Sequence, residues 1–501
     1  MLLTQALPLI HVGPAYGSSY WTQQGKISPD HKVAIKSLAR AATSHAEKSI
    51  PFYRIHSAAK SKALAHPQVL ARVNPAQSAV TGTTIDGIGY DGVTPPDVQV
   101  AAGPLNVMEM VNLEGETWAK DGSPQGPPFD LASFFGTGSD FISDPKVFYD
   151  SSGQRWVTSI TDVSASTIKV AVSDSNDATG GFCVYTVRGP RFTILDQPII
   201  GSSDDKIIVS ANIFSSFTQQ FLHSQYWVMN KGEMMSCSPA SFVSKTSTSF
   251  FSIHPVHSLT STETEYMVST AATATRSLIE VFSVNGVPPN PVSVKITRLP
   301  VSSISDPPSA AQPGTILPLD TGDSRVQDAF LSNGTIWLAH NNACTPSGDS
   351  TTRSCLHFVK ISTGTNSTSG QMSVMQDFDY GIAGKYLFYP AISETPNGNL
   401  VAVYGLSSSA DYPGVEVTTQ ASTDQADSID SPITLQPGNG SVTLLSGCLN
   451  TTGCRYGDYF GAGQDPSDPS KTWVAGEYGS GTLDYAALGK TWATKIGSIT
   501  D

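Results

Sequence analysis

Apolar and polar positions alternate in short runs along most of the chain. Lys206-Ile207-Ile208-Val209-Ser210 and Ser277-Leu278-Ile279-Glu280-Val281 follow the two-residue period of a half-buried strand. The runs recur with a shared punctuation: a polar entry, a strand, a tight turn, then a strand carrying Trp or a β-branched residue. Asp144-Pro145-Lys146 leads into VFYD, the turn SSG and Arg155-Trp156-Val157; Asp323-Ser324-Arg325 leads into VQDAFL, SNG and Thr335-Ile336-Trp337. Tyr389-Pro390 leads into AISET, PNG and Leu400-Val401; Pro96-Asp97 leads into VQVAAGP, with Gly115-Glu116-Thr117-Trp118 closing the unit. The last copy runs from Cys454-Arg455-Tyr456-Gly457-Asp458-Tyr459 through a small-residue strand to Trp473.

A repeated strand unit that cannot bury both faces alone points to radial stacking, hence an all-β propeller. Seven units are expected, over 83–125, 129–175, 180–232, 248–288, 291–362, 371–424 and 435–499, with six the alternative. Trp118, Trp156, Trp337 and Trp473 should then occupy equivalent second strands, and the closing strand TWATKIGSI should pair with a strand from near the N-terminus. Residues 28–80 alone carry sustained helical patterning, so 1–80 is expected to form a partly helical extension and 83–500 the propeller.

Composition narrows the partners. Charged residues are 14% of the chain and the formal net charge is −13, without a Lys/Arg cluster, which excludes nucleic acid and an anionic membrane surface. No apolar run is long enough to span a bilayer. The six cysteines pair naturally as Cys344/Cys355 and Cys448/Cys454, leaving Cys183 and Cys237. With Asn-x-Ser/Thr sequons at Asn333, Asn366, Asn439 and Asn450, they point to a secreted or extracytoplasmic monomer. Leu2–Ile10 lacks the basic flank of a signal peptide.

If the strand entries converge, Asp97, Asp144, Asp204, Asp205, Asp323, Arg325, Tyr389, Arg455 and Asp458 ring one mouth of the channel. Paired carboxyl groups are what glycoside hydrolysis requires, Arg with Tyr suits a carboxylated sugar, and several Asp oxygens are the donors Ca²⁺ takes. The bland reading gives each Asp a turn-capping role. His223, His254, His257 and His340 show no metal-ligand spacing, and no nucleophile elbow, phosphate loop or His-Glu-x-x-His occurs.

SNGTIW and SSGQRW resemble the Asp-box turn of sialidase-type (BNR-repeat) propellers, although Asn333 and Ser152 stand where the box carries Asp. RYGDY and GEY look like the final blade of such secreted proteins. That resemblance implies a glycan-directed protein with an arginine triad and a Tyr/Glu pair. Arg325, Arg455 and Arg276 are the arginines available to it, Tyr456, Tyr389, Tyr459 and Tyr478 the tyrosines, and Glu477 or Glu265 the carboxylate. The expected site therefore has Asp458, Tyr456, Asp144 and Asp97 as catalytic groups, with Arg455, Arg325, Tyr389, Tyr459 and Asp205 binding substrate. The expected function is a carbohydrate-active enzyme, hydrolase or lyase, against a non-catalytic glycan- or protein-binding propeller or a structural envelope protein.

Overall fold

The computed structural model describes residues 20–38, 48–49, 68–75, 79–270, 277–365, 370–448, 453–486 and 488–500. Arg276, Asn366, Asn450 and most of the helical patterning before residue 68 lie outside them. The chain is all-β, in a propeller arrangement with five sheets of four or five strands and one of ten. Each sheet runs antiparallel from an inner strand outward, as in Ile142–Asp150, Arg155–Asp162, Thr167–Ser173 and Gly181–Arg188.

The ten-stranded sheet contains two such series, Thr193–Ser202 to Ala240–Ser247 and Val326–Ser332 to Ser373–Tyr380. The two-residue strand His257–Ser258 joins them, parallel to both inner strands. Inner strands of successive sheets touch, and Gly461–Gln464 packs on Gln99–Ala102 to close the ring. Closure is secured by the C-terminus: Gly489–Thr500 pairs antiparallel with Val80–Gly89, as its sequence led one to expect. Ring closure removes the open edges that invite aggregation.

Repeat boundaries fall one strand away from the sequence reading. Gly181–Arg188, Ser293–Pro300 and Ser373–Tyr380 are outer strands of the preceding sheets rather than openings of new units. Outer strands carry no polar entry, so the punctuation does not mark them. Trp156, Trp337 and Trp473 do occupy second strands, paired directly to the inner ones. Trp118 does not: a five-residue strand, Asn106–Met110, intervenes and places it on the third strand.

Where the N-terminal region is described it holds short strands, connecting residues and the single helical turn Ile35–Ser37. Tyr20–Ile27 extends the outer edge at Ala240–Ser247, and Pro29–Ala34 extends Gly181–Arg188. Arg72–Asn74 pairs in parallel with Ser428–Asp430. An open outer edge offers ladder hydrogen bonds, which override the helical propensity of Lys32-Val33-Ala34.

Three disulfides form, Cys183–Cys237, Cys344–Cys355 and Cys448–Cys454. No helix among the described residues is long and apolar enough to cross a membrane.

Candidate active site at the strand entries

The polar entries are backbone features before they are chemical ones. Asp97 and Ser252 stand two residues before their inner strands, and Asp144, Gln197 and Tyr389 lie inside theirs, with φ of 56°, 51°, 59°, 48° and 54°. At Asp144, Gln197 and Tyr389 the ladder skips a register, a bulge, and the next residue is proline. Left-handed backbone at a non-glycine residue costs of order 1–3 kcal/mol and persists only where the surroundings over-determine it.

Here the neighbouring blade does so. Asn112 Oδ1 accepts from Asp144 N at 2.7 Å, Asn212 Oδ1 from Ser252 N at 2.8 Å, and Asn341 Oδ1 from Tyr389 N at 2.7 Å. Asp144 Oδ2 accepts from Gln197 N at 2.9 Å, and Asp97 Oδ1 from Asp458 N at 3.0 Å. Several entry side chains thus latch one sheet to the next.

Convergence follows. One carboxylate oxygen each of Asp97, Asp144 and Asp458 lies within 4.8 Å of the other two. The three residues are 0%, 5% and 7% exposed. Burial, then the charges of Asp458 and Asp144, hold the Asp97 carboxyl well above its ordinary range. Burial and the Asp458 charge push Asp144 up to about 6. Arg455 donates from Nη2 to Asp458 Oδ2 at 2.5 Å. Arg325 grips Asp323 with two bonds of 2.8 and 2.9 Å, lies 3.6 Å from Asp196, donates to Gln197 and rests on the Phe251 ring. Tyr459 lies beside the acids, its hydroxyl 3.4 Å from the Pro145 carbonyl.

Other expected site residues do not join this group. Tyr456 is fully buried and donates to the backbone carbonyl of Glu477 at 2.5 Å, while Phe388 packs edge-on against it. Its hydroxyl is therefore committed to a main-chain oxygen rather than to the Glu477 carboxylate. Tyr389 is also fully buried, donating to the Asp320 carbonyl at 3.0 Å. Asp205 follows the far end of its inner strand, Thr193–Ser202, and pairs with Lys206. The entry of that blade is Asp196-Gln197-Pro198, which repeats the grammar of Asp144-Pro145 and Tyr389-Pro390. Glu265 is buried toward Lys206 and Lys231, away from the acids.

The three acids alone do not complete a Ca²⁺ shell. One oxygen from each gives three ligands, and only Asp144 Oδ1 and Asp458 Oδ1 have no hydrogen-bond partner. Calcium takes about six to eight oxygens. What the arrangement can do is hold one carboxyl protonated beside another that is ion-paired.

No protein-family model and no curated protein matches the sequence. Among solved structures the chain is similar to the phage phi92 endosialidase, at 8% identity over 84% of this chain and 69% of that one, TM-score 0.35. It is similar to a Hadza microbial sialidase at 8% identity over 78% and 74%, TM-score 0.37. It is also similar to Drosophila Semaphorin 1a at 11% identity over 85% and 88%, TM-score 0.36. At these values the likeness concerns the path of the chain and has no bearing on chemistry.

Proposed function

We propose that the ten-stranded sheet is two blades bridged by His257–Ser258, which with the five separate sheets makes a seven-bladed ring. We further propose that this ring is an extracytoplasmic glycoside hydrolase acting where its strand entries meet. The observation that carries the reading is the Asp144–Asp458 pair: two buried carboxyl groups within 4.8 Å, one pushed up to about 6 and one held by Arg455.

A retaining glycosidase places an acid and a nucleophile about 5–5.5 Å apart and needs their environments to differ. Asp144 is then the acid that protonates the leaving oxygen, and Asp458 the carboxylate that meets the sugar carbon. Burial and the charge of Asp458 favour the protonated form of Asp144. Arg455 positions Asp458, and Arg325, with the partly exposed Asp196 and Asp323, lines the approach. The disulfides support the compartment.

Burial of all three acids and their role as latches favour a second reading, in which the mouth binds a glycan without cleaving it. Asp144→Asn and Asp458→Asn separate the two, because asparagine keeps an oxygen acceptor for Gln197 N at 144 and for Arg455 at 458, and leaves the backbone latch of Asp458 N to Asp97 in place. The protein is screened on sialylated, uronate-rich and neutral glycans. Turnover lost in both variants with binding retained supports the hydrolase. Binding without turnover in the unaltered protein replaces it with the binder, and neither binding nor turnover removes the carbohydrate reading.

A further inference from the structure

Beneath the acids the inner strands line a cavity of about 70 Å³ along the ring axis. Its wall is mixed, polar side chains alternating with Phe148, Phe330 and Phe460 from different sheets. Lys146, on the Ile142–Asp150 strand, lines it and is 7% exposed. An ammonium buried to that degree is ordinarily matched by a carboxylate or hydrogen-bond acceptor. Among the described residues Lys146 has neither within contact; Nζ sits 3.1 Å from the centroid of the Tyr459 ring.

The same wall holds further unmet polar groups. Both amide atoms of Gln327 and Nδ1 of His254 lack a hydrogen-bond partner, though these residues are 2% and 4% exposed. Asp328 also lines the cavity, and its charge is the strongest carboxylate influence on Lys146. Its own carboxylate accepts from Ile392 N at 2.8 Å and Ala329 N at 2.9 Å, which fixes its position. The combination is an unpaired buried amine, a fixed carboxylate on the same wall, an amide and an imidazole without partners, and phenylalanine rings between them.

We propose that this channel is a second site, where Lys146 Nζ condenses with the carbonyl group of a small apolar aldehyde or ketone to form an imine. The neutral amine attacks the carbonyl carbon, a C–N bond forms, and the carbonyl π pair moves to oxygen, which takes a proton. The nitrogen lone pair then forms C=N as the C–O bond breaks and water leaves. Overall, carbonyl plus ammonium gives an iminium and one water, with no oxidant or reductant. Asp328 carries the proton to the departing oxygen and remains as counter-ion to the iminium. Gln327 and His254 can bond the intermediate hydroxyl, and the phenylalanines select an apolar chain over a hydrated one. Burial lowers the Lys146 ammonium to about 7, against the pull of Asp328 and the entry acids, so much of it is neutral where exposed lysines are not.

The test uses the full chain with hexanal as probe and sodium cyanoborohydride to fix any imine, followed by peptide mapping. Lys146 should be labelled at least about 10-fold faster than exposed lysines such as Lys26, because its neutral fraction is far larger. Lys146→Arg should lose that label while labelling of the other lysines continues. Glycolaldehyde, polar and compact, should label Lys146 no faster than the surface. Labelling spread over surface lysines with Lys146 unmodified overturns the proposal, as does equal reaction with the two aldehydes. Mapping on the unaltered protein keeps the test valid even if the arginine variant fails to fold. Glycan turnover is measured separately on unlabelled protein, so either reading can fail alone.

Discussion

The most sensitive prediction concerns His357, which touches neither proposed site. Its ring is fully buried on the Arg353–Ser362 strand, with Nε2 2.9 Å from Asp377 Oδ1 and Nδ1 2.9 Å from Asp379 Oδ1. Asp379 Oδ1 also accepts from Asn342 at 2.8 Å, and Asp377 accepts from Ser302 N and Oγ at 2.6 and 2.8 Å, so neither carboxylate can turn away. His340 stacks on the ring at 4.6 Å, and burial and the His357 charge push it down to about 3. Burial works against a charged His357, but Asp379 and Asp377 outweigh it and raise its pKa to about 9.

A group raised in the folded state binds its proton more tightly there than in the unfolded chain. Its stabilisation is complete below the unfolded value of about 6.5 and is lost as pH rises through about 9. The interval of roughly two and a half pH units corresponds to about 3 kcal/mol. Unfolding free energy is compared between the protein and His357→Gln at about pH 6 and about pH 10, spanning both pKa values. Asp91 and Glu109, pushed by burial to about 7 and about 8, also titrate in this window. They do so in both proteins and cancel in the difference. The gap between the two proteins should shrink by about 3 kcal/mol at the higher pH. A gap that stays constant would mean that His357 is not charged between its two carboxylates.

Three further perturbations test the ring. Asn112→Ala removes the acceptor for Asp144 N and the donor to Asp97 and the Pro95 carbonyl, and should cost at least about 3 kcal/mol in a denaturant titration; a loss below about 1 kcal/mol would refute the latch. Replacing Cys344 and Cys355 by serine opens a bridge with a sequence separation of 11, and should cost about 3 kcal/mol by the loop-entropy relation, read as a lowered melting temperature. Gly457→Ala would place a Cβ 1.8 Å from the fully buried Glu477 Oε1, and should destabilise by about 1–3 kcal/mol; an unchanged melting temperature would show that Glu477 can move aside.

The propeller was legible because turns and alternation are local. Ser332-Asn333-Gly334-Thr335 reads as a two-residue hairpin, and the chain takes φ of 49° and 72° at its centre. Outer strands were harder to place, since Gly181–Arg188 and Ser373–Tyr380 have no entry signal and owe their position to pairing alone. The strands before residue 80 that lie on outer edges could not be read from their own residues, because partners more than a hundred positions away decide them. Lys146 was visible only as the residue after Asp-Pro. Its lack of a direct ion pair depends on rotamers that no spacing encodes.

The entry residues show why strain and chemistry coincide. A non-glycine residue at positive φ is retained where the surroundings fix it, and the bulge turns its side chain toward the axis. Proline after Asp144, Gln197 and Tyr389 removes a donor where the ladder is already interrupted, so the fold pays little for it. The exposed N–H of each entry then needs an acceptor from the next sheet, and an Asp that supplies one brings a second oxygen to the centre. Asp144 does both, with Oδ2 on Gln197 N and Oδ1 free beside Asp458. Alanine at such a position would merge loss of the latch with loss of the acid. Asparagine keeps the acceptor and removes only the proton, so it alone can show whether the ring's centre does more than hold the blades.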